Sequence, residues 1–384
     1  MPATSHEFQI FVKPAGPLCN LGCRYCYYLD KQHLYSNGET FRMTDKLLED
    51  YIIQHIQASP GETINFSWHG GEPTTRGLDY FRNIVEIQRK HKPPNRRIVN
   101  GVQTNGTLLN DEWCRFFAEQ GFYVGLSLDG PQEMHDRYRT TKDNKPTYTQ
   151  TIRGYNLLRK HRVQTEILCV VNEHNAGSPL KVYRFLKEID ARYITFLPLV
   201  EQQPGTRTGV SDISVSAEEW GRFLCAVFDE WVEHDIGRIK VQIFEEALRT
   251  AFNQEHSLCI FRPTCGDIPV LEHNGDFYPC DHYVDPEHLL GNLNTTPLTD
   301  LLNHPSLKSF GEAKQLNLPR ECIECTVREM CNGECPRNRF IPSQDGEPGL
   351  NYLCAGYKQF FTYCQPFIRE VSALWNQQNN QKRG

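Results

Sequence analysis

The chain has 384 residues, a formal net charge of −6 and a pI near 6.2. Its length exceeds that of one average domain, so two or three domains are expected. No basic run is present, which argues against nucleic acid or an anionic membrane as the main partner. The N-terminal apolar run Phe8–Val12 is too short for a signal peptide or a membrane-spanning helix. We therefore expect a soluble, cytoplasmic protein.

Short β-type runs alternate with amphipathic helical stretches from Phe8 to about Arg238. This alternation predicts βα units built on a parallel sheet. Strands are predicted at Phe8–Val12, Ile64–Trp68, Ile98–Gln103, Tyr123–Ser127, Glu166–Val171 and Tyr193–Leu197. Helices are predicted at Asp45–Gln57, Leu78–His91, Asp111–Glu119, Tyr148–Lys160, Pro179–Ile189, Ala217–His234 and Val241–Asn253. Thr44, Asn110 and Ser178 precede three of these helices and are expected to cap them.

A Cys-x3-Cys-x2-Cys run, Cys19, Cys23 and Cys26, follows the first predicted strand. Three thiolates at this spacing can hold one corner of a [4Fe-4S] cluster, which ordinarily takes four cysteines. The next cysteine in the sequence is Cys114, so one iron would stay open to a small molecule. The spacing alone leaves a zinc site or unligated core cysteines open as alternatives, although zinc sites usually show paired Cys-x2-Cys or Cys/His units.

Three further unusual stretches follow the next three strands: His69–Thr74, Thr104–Gly106 and Leu128–Pro131. Because the carboxyl ends of parallel strands meet at one edge, these stretches and the cysteine loop are expected to share one face. Glycine in the first stretch allows the backbone to approach a ligand closely. Glu72 in the same stretch could fix or neutralise a charge there.

Together these motifs resemble the radical S-adenosylmethionine (SAM) enzymes, and the run Gly125–Arg139 resembles the anaerobic sulfatase-maturating enzymes. The resemblance extends from about Lys13 to Tyr357. It implies an α/β fold, a partial (β/α)6 TIM-like barrel, with SAM bound at the open iron. Taken alone, Ser127 would be a strand-end hydroxyl and Arg139 a solvated charge. The resemblance instead assigns SAM binding to Tyr25, Gly70, Gly71, Glu72, Ser127, Arg139 and Val200.

The 15 cysteines of the chain cannot be a disulfide framework if the protein is cytoplasmic, because that compartment keeps thiols reduced. Four stand alone and are expected to be buried as small apolar side chains: Cys114, Cys169, Cys225 and Cys364. Eight others appear where helical periodicity fades: Cys259, Cys265, Cys280, Cys322, Cys325, Cys331, Cys335 and Cys354. Eight thiolates divide into two four-cysteine sites, for zinc or for iron–sulfur clusters. Alone, the pair Cys322-x2-Cys325 favours a zinc ribbon.

Behind a radical SAM core, this segment resembles the SPASM domain, which carries two auxiliary [4Fe-4S] clusters and so brings the total to three. The resemblance implies an inner cluster held by Cys259, Cys265, Cys280 and Cys335, and an outer cluster held by Cys322, Cys325, Cys331 and Cys354. Full four-cysteine ligation implies electron transfer. The expected domains are a radical SAM barrel (1–240), a helical connection (241–258), a SPASM domain (259–364) and a C-terminal helix or tail (365–384).

Asp281 directly follows one of these cysteines. In isolation it would be expected to cap a turn. The resemblance assigns it the role of catalytic base, with His282 as the local competitor because an ordinary histidine pKa near 6.5 suits proton transfer.

The resemblance implies radical oxidation of a cysteine or serine in a sulfatase to Cα-formylglycine. The substrate would be an unfolded Cys/Ser-x-Pro-x-Arg segment, and the reductant ferredoxin or flavodoxin. The sequence leaves open the choice of cysteine or serine, the client sulfatase and the oligomeric state. A maturase that crosslinks a ribosomally made peptide would use the same core, and a zinc-stapled binding protein without SAM chemistry also stays open.

Two positions depart from the family pattern. His69 stands where glutamine is usual, which suggests pH-dependent binding of SAM or substrate. Glu334 stands where glycine is usual, which puts the local backbone geometry in doubt.

Overall fold

The computed structural model describes residue 4, residues 7–36 and residues 38–381. The start of the predicted radical SAM barrel and the end of the predicted C-terminal helix or tail therefore lie outside the described residues. The chain forms two compact units. The first unit comprises Met1–Leu128, His135–Glu166 and Gly266–Gly311, and the second comprises Asp129–Met134, Ile167–Cys265 and Glu312–Gly384.

The described chain contains the following strands: β1 (Phe11–Lys13), β2 (Thr63–Trp68), β3 (Arg97–Thr104), β4 (Tyr123–Ser127), β5 (Thr165–Val171), β6 (Tyr193–Pro198), β7 (Lys240–Val241), β8 (Val270–Glu272), β9 (Asp276–Tyr278) and β10 (Gly291–Asn292). Strands β1 to β4 pair in parallel and in chain order, and β8 pairs in parallel with the free side of β1. β9 pairs antiparallel with β8, and β10 pairs antiparallel with β9. β5, β6 and β7 also pair in parallel.

The helices of the described chain are α1 (Asp45–Ala58), α2 (Leu78–His91), α3 (Asp111–Gln120), α4 (Gln132–Tyr138), α5 (Tyr148–Lys160), α6 (Glu173–Ala176), α7 (Pro179–Glu188), α8 (Ala217–His234), α9 (Gln242–Ala251), α10 (Leu298–Leu302), α11 (Pro305–Leu316), α12 (Arg320–Ile323), α13 (Arg328–Cys331) and α14 (Cys354–Gln381). None of them is long and apolar enough to cross a membrane.

The six predicted strands and seven predicted helices are confirmed, with small shifts at their ends. The first strand is shorter than predicted and begins at Phe11. Thr44 and Asn110 cap their helices by accepting hydrogen bonds from Leu47 N and Trp113 N. The cap at Ser178 is wrong, because its side chain makes no capping hydrogen bond. Its ψ of 53° is not extended, and a proline at the first helical position already removes one unpaired N–H.

The weak helical periodicity between Cys259 and Cys354 did not indicate α10 to α13, which lie in this stretch. α11 is the longest of them, and the glycine at its centre weakened the sequence signal. α14 begins at Cys354, eleven residues ahead of the predicted C-terminal segment, and contains Pro366.

Aromatic side chains build the core of each unit. In the first unit the rings of Phe66 and Trp68 stack at 5.9 Å under α1 and α2. In the second unit α8 and α14 cross so closely that a Cβ at Gly356 would lie 2.1 Å from the carbonyl oxygen of Ala217. Of the four isolated cysteines, Cys225 is half-buried and the others are buried as predicted.

Candidate functional site

The Cys19–Cys26 loop leaves the carboxyl end of β1 and is fixed by its own backbone. Gly22 N donates to Thr140 O at 2.9 Å, and Arg24 N donates to Tyr138 O at 3.0 Å. All three cysteines are half-buried in this loop. The parallel pairing of β1 to β4 therefore places the cysteine loop, the stretches after β2 and β3, and Leu128 after β4 at one edge of the first unit. Asp129 to Pro131, the rest of the fourth stretch, belong to the second unit.

Amide groups surround the first of these thiols. Leu21 N donates to Cys19 Sγ at 3.3 Å, and Asn105 Nδ2 lies 3.8 Å from the same sulfur. Burial raises the pKa of Cys19 to about 12, and the negative charge of Glu72 adds to this effect. A thiolate here thus needs a cationic group beside it. A set of three thiols with N–H donors in one short loop fits the chemistry of an iron–sulfur corner.

The loop after β2 packs against the segment that leads into Cys19. Gly71 N donates to Gly16 O at 2.8 Å, and Glu72 N donates to Leu18 O at 2.9 Å. A Cβ at Gly71 would lie 2.2 Å from Leu18 O, so only glycine fits there. Gly70 adopts φ +126°.

The Glu72 carboxylate is buried and binds four donors of the chain itself. Oε1 accepts from Thr74 N, Thr74 Oγ1 and Thr104 Oγ1 at 3.0, 2.6 and 2.8 Å, and Oε2 accepts from Asn105 N at 2.7 Å. Burial raises the pKa of Glu72 above its ordinary value, whereas these hydrogen bonds lower it. The carboxylate therefore ties the end of β2 to the end of β3.

Two of the residues that the resemblance assigns to SAM lie together. The guanidinium of Arg139 lies 5.4 Å from the centre of the Tyr25 ring, and Arg139 is buried, so it is not a solvated charge. Ser127 ends β4 and accepts a hydrogen bond from Gln103 Nε2 at 3.1 Å. Val200 is buried in the second unit.

Asp281 lies in the first unit in a charged, largely buried setting. Tyr27 Oη donates to Asp281 Oδ2 at 2.7 Å, and Lys13 Nζ lies 3.4 Å from the same oxygen. Burial alone would raise the pKa of Asp281, but the Lys13 ammonium, His282 and the Tyr27 hydroxyl bring this pKa below its ordinary value. Asp281 is therefore held as a carboxylate.

Lys13 and Tyr27 were not predicted as site residues. The sequence does place both residues next to the predicted site, because Lys13 ends the first strand and Tyr27 follows the last cysteine of the loop. What the sequence does not show is that Asp281, far along the chain, meets both of them. The ring of His282, the alternative base, lies 4.6 Å from the Tyr27 ring.

His69 stacks on Phe11 with ring centres 3.9 Å apart, and its Nε2 lies 3.0 Å from Ser67 Oγ. Burial lowers the pKa of His69 to about 3, and the Lys13 ammonium lowers it further while Asp281 opposes them. The ring is thus neutral near pH 7. A neutral ring argues against a change in binding near neutral pH, and the pH-dependent binding suggested by His69 stays a prediction.

Four cysteines line one pocket in the second unit, and they are the four predicted for the outer cluster: Cys322, Cys325, Cys331 and Cys354. Burial raises the pKa of Cys354 to about 12, and the neighbouring thiols of Cys322 and Cys325 add to this. In the part of the chain that the structure describes, no three His, Cys, Asp or Glu side chains are grouped to hold a single metal ion.

Three of the four cysteines predicted for the inner cluster, Cys259, Cys265 and Cys335, belong to the second unit, and Cys280 belongs to the first. Burial raises the pKa of Cys335, and the charges of Glu334, Cys259 and Cys265 raise it further. These three thiols are therefore close enough to interact electrostatically.

Glu334 keeps the backbone geometry that glycine would adopt. Its φ is +52°, which costs a non-glycine residue about 1–2 kcal/mol. The buried carboxyl group accepts hydrogen bonds from Asn338 Nδ2 at 3.2 Å and from Asn351 Nδ2. These hydrogen bonds hold Glu334 in place. The turn therefore keeps its left-handed backbone conformation although the residue is not glycine.

Comparison with protein families agrees with this arrangement. The Radical SAM superfamily matches residues 14–186, and the SPASM family, described as an iron–sulfur cluster-binding domain, matches residues 259–326. The second description favours iron–sulfur clusters over zinc in the C-terminal segment.

Curated relatives cover nearly the whole chain. A serine-type anaerobic sulfatase-maturating enzyme of Bacteroides thetaiotaomicron is 44% identical over 96% of this chain and 92% of its own length. A cysteine-type anaerobic sulfatase-maturating enzyme of Clostridium perfringens is 34% identical over 95% of this chain and 98% of its own.

Solved structures agree with these relatives. Native anSMEcpe with bound AdoMet and Cp18Cys peptide has a TM-score of 0.87 and 33% identity, and covers 96% of this chain and 99% of its own. Streptococcus suis SuiB bound to the precursor peptide SuiA has a TM-score of 0.62 at 16% identity, and covers 92% of this chain and 76% of its own. At that identity SuiB shares only the fold.

Proposed function

This chain belongs to the anaerobic sulfatase-maturating enzymes of the radical SAM superfamily, and we propose that it oxidises a serine or cysteine side chain of a sulfatase to Cα-formylglycine. The observation that carries the proposal is the half-buried Asp281 carboxylate, whose Oδ2 lies between Lys13 and Tyr27. The fold class is the predicted partial barrel with a SPASM domain, and the cofactors of the family are three [4Fe-4S] clusters and SAM.

The first cluster would be held by Cys19, Cys23 and Cys26, and together with SAM it would supply the radical chemistry that removes a hydrogen atom from the substrate Cβ. The residues of the chain do the rest. Arg139, Tyr25, Ser127, Gly70, Gly71 and Val200 bind and orient SAM, and Glu72 fixes the loop that approaches it. Full cysteine ligation suits the two C-terminal clusters to electron transfer, with the ligand sets expected from the SPASM resemblance.

Asp281 accepts the proton of the substrate hydroxyl or thiol. Three features support this role over that of His282. The carboxylate is desolvated, its charge is maintained by the Lys13 ammonium 3.4 Å away, and the Tyr27 hydroxyl fixes one oxygen at 2.7 Å. A general base placed in this way typically contributes a factor of about 10²–10⁴ to the rate.

The substrate is an unfolded sulfatase segment with the Cys/Ser-x-Pro-x-Arg motif, and ferredoxin or flavodoxin is the reductant. Within this reading we favour serine as the target residue. The support is the higher identity to the serine-type relative, 44%, than to the cysteine-type relative, 34%.

The test uses anaerobically reconstituted protein with SAM, a reductant and two peptides that differ only in Ser-x-Pro-x-Arg or Cys-x-Pro-x-Arg. Mass spectrometry should show a loss of about 2 mass units from serine, or about 18 from cysteine as oxygen replaces sulfur. About twelve irons per chain are expected for three cubanes. Two zinc ions and no 5′-deoxyadenosine would contradict the proposal, and faster conversion of the cysteine peptide would contradict the serine preference alone.

A further inference from the structure

The loop between Cys331 and Cys335 wraps around the guanidinium of Arg339. Its three inner residues are all left-handed, with φ values of 47°, 71° and 52°, and this turns their carbonyl groups to one point. Arg339 Nε donates to Gly333 O at 2.8 Å, and Nη2 donates to Asn332 O at 2.9 Å and to Glu334 O at 3.0 Å. A positive charge thus sits inside the loop that joins the two predicted cluster sites.

A second cation lies beside it. Lys314 is 1% exposed, and its Nζ donates to Cys259 O at 2.7 Å and to Ile260 O at 2.8 Å. Arg339 Nη1 in turn donates to Lys314 O at 2.5 Å. Burial lowers the pKa of Lys314, whereas the thiols of Cys265 and Cys259 raise it. The ammonium therefore lies within electrostatic reach of the inner cysteines.

These contacts do not neutralise either cation. Every acceptor named for Arg339 and Lys314 is a backbone carbonyl, which carries only a partial charge. A charge removed from water without an ionic partner is costly. The buried carboxyl group of Glu334 binds the amides of Asn338 and Asn351 and lies within electrostatic reach of both cations, so it offsets part of their charge. The thiolate sets on either side would supply the remaining negative charge.

We propose that Arg339 and Lys314 are positioning residues for electron transfer, whose fixed positive charges raise the reduction potentials of the auxiliary clusters. A cluster gains negative charge on reduction, so a nearby cation favours the reduced form. Lys314 acts on the inner cluster through Cys259, Cys265 and Cys335. Arg339 acts on both clusters, because its loop carries Cys331 at one end and Cys335 at the other.

The electron count of the proposed reaction explains why an auxiliary cluster must accept an electron. Conversion of the substrate side chain to an aldehyde removes two electrons. One leaves with the hydrogen atom taken from Cβ, and the hydroxyl or thiol proton goes to Asp281. The second electron would go to an auxiliary cluster and then to an oxidised ferredoxin or flavodoxin. This step depends on the proposed function, whereas the effect of the cations on potential can be measured without turnover.

The experiment uses the full chain with Cys19, Cys23 and Cys26 replaced by alanine, so that only the auxiliary clusters contribute signals. Reduction potentials are measured by electron paramagnetic resonance during a redox titration. Lys314→Met should lower one potential, and Arg339→Met should lower both. We expect at least a tenfold smaller equilibrium constant for reduction, which is about 59 mV for one electron. Arg339→Lys keeps the charge and should stay close to the parent.

The matched control is Arg222→Met, which removes a cation from an arginine side chain that is 64% exposed on α8 of the same unit. It should leave both potentials unchanged. Unshifted potentials in Lys314→Met and Arg339→Met would overturn the proposal, and so would an equal shift in Arg339→Lys and Arg339→Met, since geometry would then be the cause. Should Arg339→Met fail to retain about eight irons, Lys314→Met decides alone. No SAM or peptide is present, so the result is independent of the sulfatase activity.

Discussion

The N-terminal cysteine loop and the C-terminal cysteine pocket are built in opposite ways. The loop places three cysteines within residues 19–26 of one connection, held by backbone hydrogen bonds to Thr140 and Tyr138. The pocket collects its four cysteines from α12, α13 and α14 and the turns between them. A site made by one short loop of three cysteines can leave a coordination position open, whereas a site assembled from four cysteines on successive helices and turns closes around its cluster.

Both regions carry charges of both signs. Near the N-terminal loop, the carboxylates Glu72 and Asp281 lie in the first unit together with the buried cations Lys13 and Arg139. Among the C-terminal cysteines, the buried cation Lys314 and the half-buried Arg339 lie near the buried carboxyl group of Glu334. Negative surroundings make a cluster harder to reduce and positive surroundings make it easier. The contrast between the regions therefore rests on open or closed ligation of the cluster, and the two C-terminal cations oppose the charge of Glu334.

Removal of the N-terminal cysteines should abolish the function of the first region and leave the clusters of the second region in place. The triple variant Cys19→Ala, Cys23→Ala and Cys26→Ala should lose about four of twelve irons. Release of 5′-deoxyadenosine should fall below detection, because SAM has no open iron to bind. Iron analysis and chromatography of the products measure both effects. Cys354→Ala is the converse variant, and it should still release 5′-deoxyadenosine. Release that persists in the triple variant would refute the assignment of the first region.

Asp281→Asn tests the proton-accepting half of the first region. The amide cannot take the substrate proton, so formylglycine formation should fall by about 10²–10⁴-fold. Cleavage of SAM should continue, because Asp281 is not a ligand of the first cluster. The readouts are the peptide mass and the yield of 5′-deoxyadenosine. Asp285→Asn is the control, since Asp285 binds His288 in a local turn. Equal losses in both variants would point to misfolding of the segment.

The sequence predicted the first region well because its signals are local. The cysteine spacing, the glycines after β2 and the alternation of strands and helices each depend on neighbouring residues. Parallel pairing then brings the ends of β1 to β4 to one edge, which general topology already implies. The contacts of Asp281 with Lys13 and Tyr27 join residues more than 250 positions apart, and no local pattern contains them.

The second region was harder to predict for the same physical reason. Spacing gave eight thiolates but could not divide them, and the division came from the SPASM resemblance. The helices α10 to α13 were missed because they are short or interrupted by glycine, and tertiary packing stabilises such helices more than propensity does. The failed cap at Ser178 shows the converse, since a favourable residue type does not guarantee the backbone conformation that capping needs.

Gly71→Ala should distort the approach of the β2 loop to the cysteine loop. The added Cβ would lie 2.2 Å from Leu18 O, which is backbone and cannot turn aside. We expect SAM affinity to fall by at least about tenfold and the free energy of unfolding to fall by about 1–3 kcal/mol. Calorimetric titration with SAM and urea denaturation measure these changes. The control is Gly101→Ala on β3, where a Cβ would have an ordinary contact at 3.8 Å. Normal SAM binding in Gly71→Ala would show that the loop tolerates displacement.

His69→Gln should have the smallest effect, and it appears only in acid. Burial lowers the pKa of His69 to about 3 in the folded protein, while the unfolded value is about 6.5. Below pH 6.5 the unfolded chain takes up a proton that the folded chain does not, so histidine costs stability as the pH falls. At pH 5.5 the variant should gain about 1 kcal/mol over the parent, relative to pH 7.5.

Denaturant unfolding at the two pH values measures this difference, with His234→Gln, whose side chain is 49% exposed, as the control. The pH profile of SAM cleavage between pH 6.5 and 8 should be the same in His69→Gln and the parent, because a ring that is neutral throughout this range changes no charge near Asp281. A profile that moves with this substitution would show that His69 titrates near pH 7. Proton transfer in the first region would then involve both Asp281 and His69. The second region would still transfer only electrons.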